Sequence, residues 1–227
     1  AGSLYLNRFD SSSGAGTLNT SRVIVNNGGI LDWGVANSFG YLANSGIEAI
    51  TVNEGGQVGR ADNSLQQHMW NNFTVEMTGG RFYVGSNTQV MGLTFTIKAP
   101  ATPGATSEVL RGGSGDLRLR NDGPSITFDV AQNASALVSV PINTNGTSGT
   151  LIKSGLGQLE LSSGNTYYGP TIVYAGTLKV SGTQYANAGD GTETTVAAGA
   201  TYLAANSHSI GALSGAGGIS KTGLGTL

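Results

Sequence analysis

Apolar residues along this chain come in short runs broken by single polar positions. Leu159 and Leu161 alternate with Gln158 and Glu160, while Ile172-Val173 and Leu178 to Val180 lie in runs bounded by glycine. Alternation with period two over so short a stretch predicts short β-strands. Leu4-Tyr5-Leu6, Thr17-Leu18 and Val23-Ile24-Val25 read the same way. The intervening Ser162-Ser163-Gly164-Asn165 and Tyr168-Gly169-Pro170 collect residues that supply positive φ, side-chain-to-backbone hydrogen bonds or a fixed φ, so they read as turns.

The strand-turn units repeat. Val23-Ile24-Val25-Asn26-Asn27-Gly28-Gly29 returns as Ile50-Thr51-Val52-Asn53-Glu54-Gly55-Gly56. The Gly-Gly turn returns again at Gly79-Gly80, with the apolar positions before it displaced by one. Ile172 to Gly176 and Thr195 to Gly199 form a further pair at a similar interval. A sub-motif Gly-x-Gly-x-Leu at Gly14, Gly113, Gly155 and Gly223 marks strand entries. Strands this short cannot bury an apolar face alone, but stacked on their equivalents in neighbouring repeats they share one core. The expectation is an all-β chain: a right-handed parallel β-helix, or β-solenoid, of roughly nine or ten coils forming one elongated unit across residues 1–227. With ~4.8 Å between stacked strands, such a rod is on the order of 45 Å long.

Leu151 to Val180 is the fullest unit. Its opening Lys153-Ser154-Gly155-Leu156-Gly157-Gln158-Leu159 returns as Lys221 to Leu227, and its closing Ala175 to Val180 matches Ala1 to Leu6. This unit resembles the autotransporter-associated β-strand repeat, also called the passenger-associated transport repeat. The match runs through Lys153, Gly155, Gly157, Leu159, Leu161, Asn165, Tyr167, Gly169, Thr171, Val173, Ala175, Gly176 and Leu178, and a further truncated copy starts near Gly217. Roughly a fifth of the chain carries the resemblance. It implies a secreted or surface-exposed bacterial β-helix, extracellular or on the outer cell surface, that acts as stalk, fibre or filament scaffold. It implies no chemistry.

Composition narrows the partners. Glycine accounts for 37 of 227 residues and proline for only 5, which fits frequent turns and excludes collagen and Pro-rich linkers. Charged residues make up 11% against a usual ~25%, so the surface is neutral and polar. A net charge of −2 with dispersed basic residues gives no footprint for nucleic acid or for an anionic membrane. Arg111, Arg118 and Arg120 cluster, but beside Asp116 and Asp122 they read as a solvated mixed-charge face. The absence of cysteine excludes a disulfide frame, a thiolate metal site and a cysteine nucleophile. No run approaches the length of a membrane helix, so no membrane insertion by this segment is expected.

Chemistry is expected to be absent. The histidines, His68 and His208, lie in no nucleophile motif, and single scattered histidines make poor metal sites. Gly112-Gly113-Ser114-Gly115-Asp116-Leu117 approximates a calcium-binding nonapeptide but is one position short and unrepeated. A polysaccharide-degrading β-helix enzyme would gather carboxylates on adjacent coils. Asp10, Asp32 and Asp62 take no equivalent positions, and Asp116, Asp122, Asp129 and Asp190 complete the candidates. The expectation is therefore no catalytic residue, no cofactor and no metal. A glycan-binding adhesin module is the alternative to a purely structural segment. Its contacts would be Trp33, His68 and Trp70, with Phe39 and Tyr41 as further aromatics able to stack on sugars. Two stretches break the rhythm. Residues 61–72 read as a projecting loop or short helical turn, and residues 99–106 as a proline-containing loop that cannot be a central strand. Cut ladder edges would let copies of the segment self-associate into a fibre or filament.

Overall fold

The computed structural model describes residues 2–6, 22–33, 49–62, 68–70, 73–120, 124–145, 149–183, 193–206 and 210–223. Among these, 23 strands, β1 to β23 in chain order, build three parallel sheets. Sheet A stacks ten: β1 (Ser3–Leu6), β3 (Ile30–Trp33), β5 (Gln57–Val58), β8 (Arg81–Val84), β11 (Ser107–Arg111), β14 (Ser135–Val138), β17 (Gln158–Leu161), β19 (Thr177–Val180), β21 (Thr201–Ala204) and β23 (Gly218–Lys221). Sheet B stacks nine: β2 (Arg22–Val25), β4 (Ala49–Val52), β7 (Thr74–Met77), β10 (Leu93–Ile97), β13 (Pro124–Val130), β16 (Thr150–Ser154), β18 (Thr171–Val173), β20 (Glu193–Val196) and β22 (Ala212–Ser214). Sheet C holds four, β6 (His68–Trp70), β9 (Thr88–Met91), β12 (Leu117–Arg120) and β15 (Ile142–Asn145).

The chain visits sheet B, then A, then in the middle coils C, before returning to B one level along. This is the expected parallel β-solenoid, with ten levels in its longest sheet. Each strand meets its hydrogen-bonding partners only in the coils above and below, so the ladders are formed almost wholly from non-local contacts.

The register explains the sequence repeats. Val23 lies beside Ile50 and Val25 beside Val52, the pairs that the first repeat predicts. Ile50 lies beside Val75, whereas Gln57 lies beside Arg81, and the first of these steps is the longer by a single position. The displacement read in the sequence is thus a real difference between the two sides of one corner. Ile172 lies beside Thr195, as the later pair of repeats predicts. Coil length is nevertheless far from constant. In sheet A the shortest step between rungs runs from Tyr202 to Ile219 and the longest from Val109 to Val138. In sheet B the corresponding steps are Thr194 to Leu213 and Leu93 to Ile126.

Alternate residues of each strand face inward and stack in files. One file of sheet B runs Val23, Ile50, Val75, Phe95, Phe128, Lys153, Val173, Val196. Its counterpart in sheet A runs Leu31, Val58, Phe82, Val109, Val138, Leu161, Val180, Ala204, Lys221. Phe95 and Phe128 stack at 5.1 Å and 5°, and Phe82 meets Phe95 edge-on at 5.7 Å and 85° across the core. Such pairs add about 0.5–1.5 kcal/mol beyond the area they bury.

Two irregular stretches differ in outcome. Residues 98–106 form the expected loop between β10 and β11. The projecting loop or helical turn expected over residues 61–72 is corrected at His68–Trp70, which is β6, the edge strand of sheet C paired in parallel with β9; residues 63–67 and 71–72 lie outside the described residues.

Candidate functional site

The repeat over residues 151–180 occupies one coil, β16 and β17, and most of the next, β18 and β19. These coils are short: Ile152 already meets Ile172 in sheet B, and Glu160 meets Lys179 in sheet A. Its signature polar residues point inward or into corners, and they hold neighbouring coils to one another.

Lys153 takes an inward position in β16, in file with Phe128 and Val173, and is fully buried. Its ammonium donates to three carbonyl oxygens: Ser154 at 2.6 Å, Gly155 at 2.7 Å and Ala175 at 3.1 Å. The first two belong to its own corner and the third to the corner of the next coil. Burial lowers the Lys153 amine from 10.5 to about 8, and the charge of Asp129 opposes the shift. The corner is tight because Gly155 has φ +72° and a Cβ there would stand 2.2 Å from the Val130 carbonyl oxygen. No residue with a side chain fits at that spacing.

Asn165 does the equivalent work at the opposite corner. It is buried, accepts the Ile142 N–H on its Oδ1 at 3.0 Å, and donates from Nδ2 to the Ser163 carbonyl at 3.1 Å. Its own backbone N–H donates to the Thr183 carbonyl at 2.9 Å. One asparagine therefore ties three successive coils. Thr166 hydroxyl donates to Asn143 Oδ1 at 2.7 Å, and Tyr167 and Thr171 pair their buried hydroxyls at 2.6 Å. On the outer face Lys179 and Ser181 both hydrogen-bond Glu160, at 3.0 Å and 2.5 Å. Burial pushes the Glu160 carboxyl up, but the Ser181 and Lys179 hydrogen bonds and the Lys179 charge outweigh it and hold it below 4.5.

The second copy of the motif keeps the local device and changes its place. Lys221 donates to the Gly223 carbonyl at 2.9 Å, as Lys153 does to Gly155. Yet Lys221 closes the inward file of sheet A, beside Ala204, whereas Lys153 belongs to sheet B. Gly-x-Gly-x-Leu behaves alike: it leads into β12 of sheet C from Gly113 and into β17 of sheet A from Gly155. The motif therefore encodes a corner, whichever pair of sheets that corner joins. Ser3–Leu6 and Thr177–Val180, the other matched pair, do share sheet A.

The residues expected to contact glycans separate. Trp33 is corrected: it is buried, 1% exposed, and packs over Gly59, where a Cβ would stand 2.6 Å from the ring. An indole so placed has no face open to a sugar. His68 and Trp70 lie on β6, with side chains outside the described set, and Phe39, Tyr41 and His208 also fall outside the described residues. Asp116, the carboxylate of the calcium-like sequence, is satisfied by protein donors: Asn87 N–H at 2.6 Å, Arg118 Nε at 2.7 Å and Asn143 Nδ2 at 3.1 Å. Asp32 is ion-paired to Arg60 at 2.6 Å, and Asp129 accepts from Ser154 at 3.0 Å. Asp10, Asp122 and Asp190 lie outside the described residues. Among the described residues no three of His, Cys, Asp and Glu gather in a way that could hold a metal ion. Asn165 reads from the sequence as a turn or ladder residue whose amide satisfies backbone groups at a coil corner, and its bonds to Ile142 N–H and the Ser163 carbonyl bear that out; the buried role of Lys153 was missed, although it alternates in phase with Leu151, which faces inward.

Neither the curated proteins nor the solved structures searched give a match to this chain. The family model of the passenger-associated-transport-repeat matches residues 151–180. Those are the residues whose side chains close the corners described above, and this chain is thus a parallel β-solenoid that carries a passenger-associated transport repeat at residues 151–180.

Proposed function

We propose that this chain is a structural segment of a bacterial extracellular or cell-surface protein, serving as stalk, fibre or filament scaffold. The observation that carries the reading is the pair of unbroken parallel ladders, ten and nine strands long, reinforced at the transport repeat by side chains that join successive coils. A load along the rod is then shared by backbone hydrogen bonds and buried layers whose stability is roughly a sum over neighbouring coils. Self-association belongs to the same reading.

The test is surface labelling and imaging. An antibody against this segment labels intact, unpermeabilised cells, and cryo-electron micrographs of the labelled material show thin rods or filaments. Labelling that requires permeabilisation would refute the location. Globular labelled particles would refute the scaffold role.

A further inference from the structure

The longest step between rungs, from Leu93 to Ile126, includes the loop over residues 98–106. Instead of projecting, this loop folds back along the rod. Thr102 N–H donates to the carboxylate of Glu54 at 3.2 Å, reaching two coils down, and Pro100 and Ala105 pack where a Cβ on Gly79 would stand. Beside the loop opens a groove of about 380 Å³. Gly55, Gly56 and Gly79 form its floor, Thr106 lies at the loop end, and Gln57, Arg81 and Glu108 line the sheet A side. Those last three are successive rungs of one ladder, so their side chains line up along the rod axis.

We infer that this groove is a binding site for a neutral saccharide of one or two sugar units. Its size lies near the lower end of small-molecule sites, ~300–1,000 Å³. The floor offers flat glycine backbone whose N–H groups are already engaged: Gly56 to the Asn53 carbonyl at 2.8 Å and Gly79 to Ser107 Oγ at 2.9 Å. Recognition therefore falls to the side chains. Arg81 Nε donates to Glu108 at 2.8 Å, so the two charges cancel and the wall selects neither an anion nor a cation. The remaining guanidinium N–H groups still donate, and the carboxylate still accepts. Gln57 spends an amide N–H on the Gly59 carbonyl at 2.8 Å and keeps its carbonyl oxygen as an acceptor. Donors and acceptors alternate along a polar wall beside glycine backbone, which suits the vicinal hydroxyls of a sugar. Thr106, at the end of the inserted loop, adds a further lining residue, and insertions on one face of a solenoid are where such proteins place binding surfaces. This site is separate from the aromatic residues singled out in the sequence and independent of the scaffold role.

The experiment is saturation-transfer-difference NMR on the 227-residue chain with a panel of neutral mono- and disaccharides, followed by titration of the best binder. The expected result is transfer to at least one sugar, with affinity lowered tenfold or more in Arg81→Ala and in Gln57→Trp, which fills the groove without touching the ion pair. Lys179→Ala, which breaks the equivalent Glu160 pair on the same face outside the groove, keeps wild-type affinity. Absence of transfer from every sugar at millimolar concentration overturns the inference. So does binding that survives unchanged in both groove variants. Loss of the site leaves the rod intact, so scaffold images are unaffected by either outcome.

Discussion

Replacing Lys153 with methionine keeps the length of the side chain and removes its charge, and the structure sets the size of the effect. Methionine leaves three buried carbonyl oxygens without a donor, at about 1–3 kcal/mol each and ~6 kcal/mol in all. Against them stands the cost of holding a buried amine charged. An amine lowered from 10.5 to about 8 disfavours its charged form by ~3 kcal/mol. The unsatisfied carbonyls outweigh that cost, and Lys153→Met is expected to lose ~3 kcal/mol at pH 7. The pH dependence is the sharper test. Between about pH 8 and 10.5 the unfolded chain holds the Lys153 proton and the folded chain releases it, so wild-type stability rises with pH across that window. The gain between pH 7 and 10 is ~2.5 kcal/mol, and the methionine variant lacks it. Urea unfolding followed by far-UV circular dichroism at intervals over that range measures both chains, and subtracting one from the other cancels the remaining titrating groups. The gap is expected to widen with pH. A constant or narrowing gap, or a variant more stable than wild type, refutes the reasoning that the lysine is a buried staple.

Other perturbations probe the remaining parts of the repeat and core. Asn165→Ala removes the acceptor for Ile142 N–H and the donor to the Ser163 carbonyl, and should cost about 2 kcal/mol or more; at ~2–4 °C per kcal/mol its melting temperature falls by about 5 °C, and an unchanged melt would show that water replaces the amide. Phe95→Ala empties the centre of the Phe82, Phe95, Phe128 cluster and should lose about 3–5 kcal/mol in chemical denaturation. Gly155→Ala meets the Val130 carbonyl at 2.2 Å with φ +72°, so the left-handed backbone alone costs about 1–2 kcal/mol and the clash adds to it, read as a lower unfolding midpoint. Glu160, held below 4.5, contributes stability that is present above that value and lost as pH falls through its lowered pKa; Glu160→Gln should flatten the acid limb of the stability curve.

The sequence carried the architecture well because a ladder writes itself into spacing. Val23, Ile50 and Val75 are neighbours in one file, and their spacing was visible without any structure. What spacing did not carry was which corner a motif turns. Lys153 and Lys221 have the same local sequence and the same hook onto a nearby glycine carbonyl, yet sit on different sheets. Local sequence fixes local backbone geometry, while the sheet a strand joins depends on how much chain the preceding coil spent. Trp33 was misread for a related reason. Its neighbours Leu31 and Asp32 are buried as well, so period-two alternation fails in β3, and the indole finds room only because Gly59 of the next coil lacks a side chain. The 380 Å³ groove was illegible because residues 98–106 gave no sign that they fold back onto Glu54 rather than project.

Coil length and corner chemistry are linked. The middle coils close through a third strand, β9, β12 or β15, whose backbone hydrogen bonds satisfy that side of the rod. In the transport repeat the passage from β17 to β18 has no such strand, since residues 162–170 contribute only an isolated bridge at Asn165. The hydrogen bonds that a third strand would have made must come from elsewhere. Ile142 N–H, at the start of β15, finds the Asn165 side chain in place of a backbone carbonyl, while Thr166 N–H still reaches the Ile142 carbonyl at 2.9 Å. The side chain thus continues sheet C for one step and lets it stop. Tyr167 and Thr171 close the remaining gap with a buried hydroxyl pair, and Lys153 gathers the carbonyls that the tight glycine corners turn inward. The conspicuous polar residues of this repeat are the side-chain replacement for a missing sheet. That is why they are buried, why they bridge coils, and why they accompany rungs as close in sequence as Ile152 to Ile172 and Glu160 to Lys179.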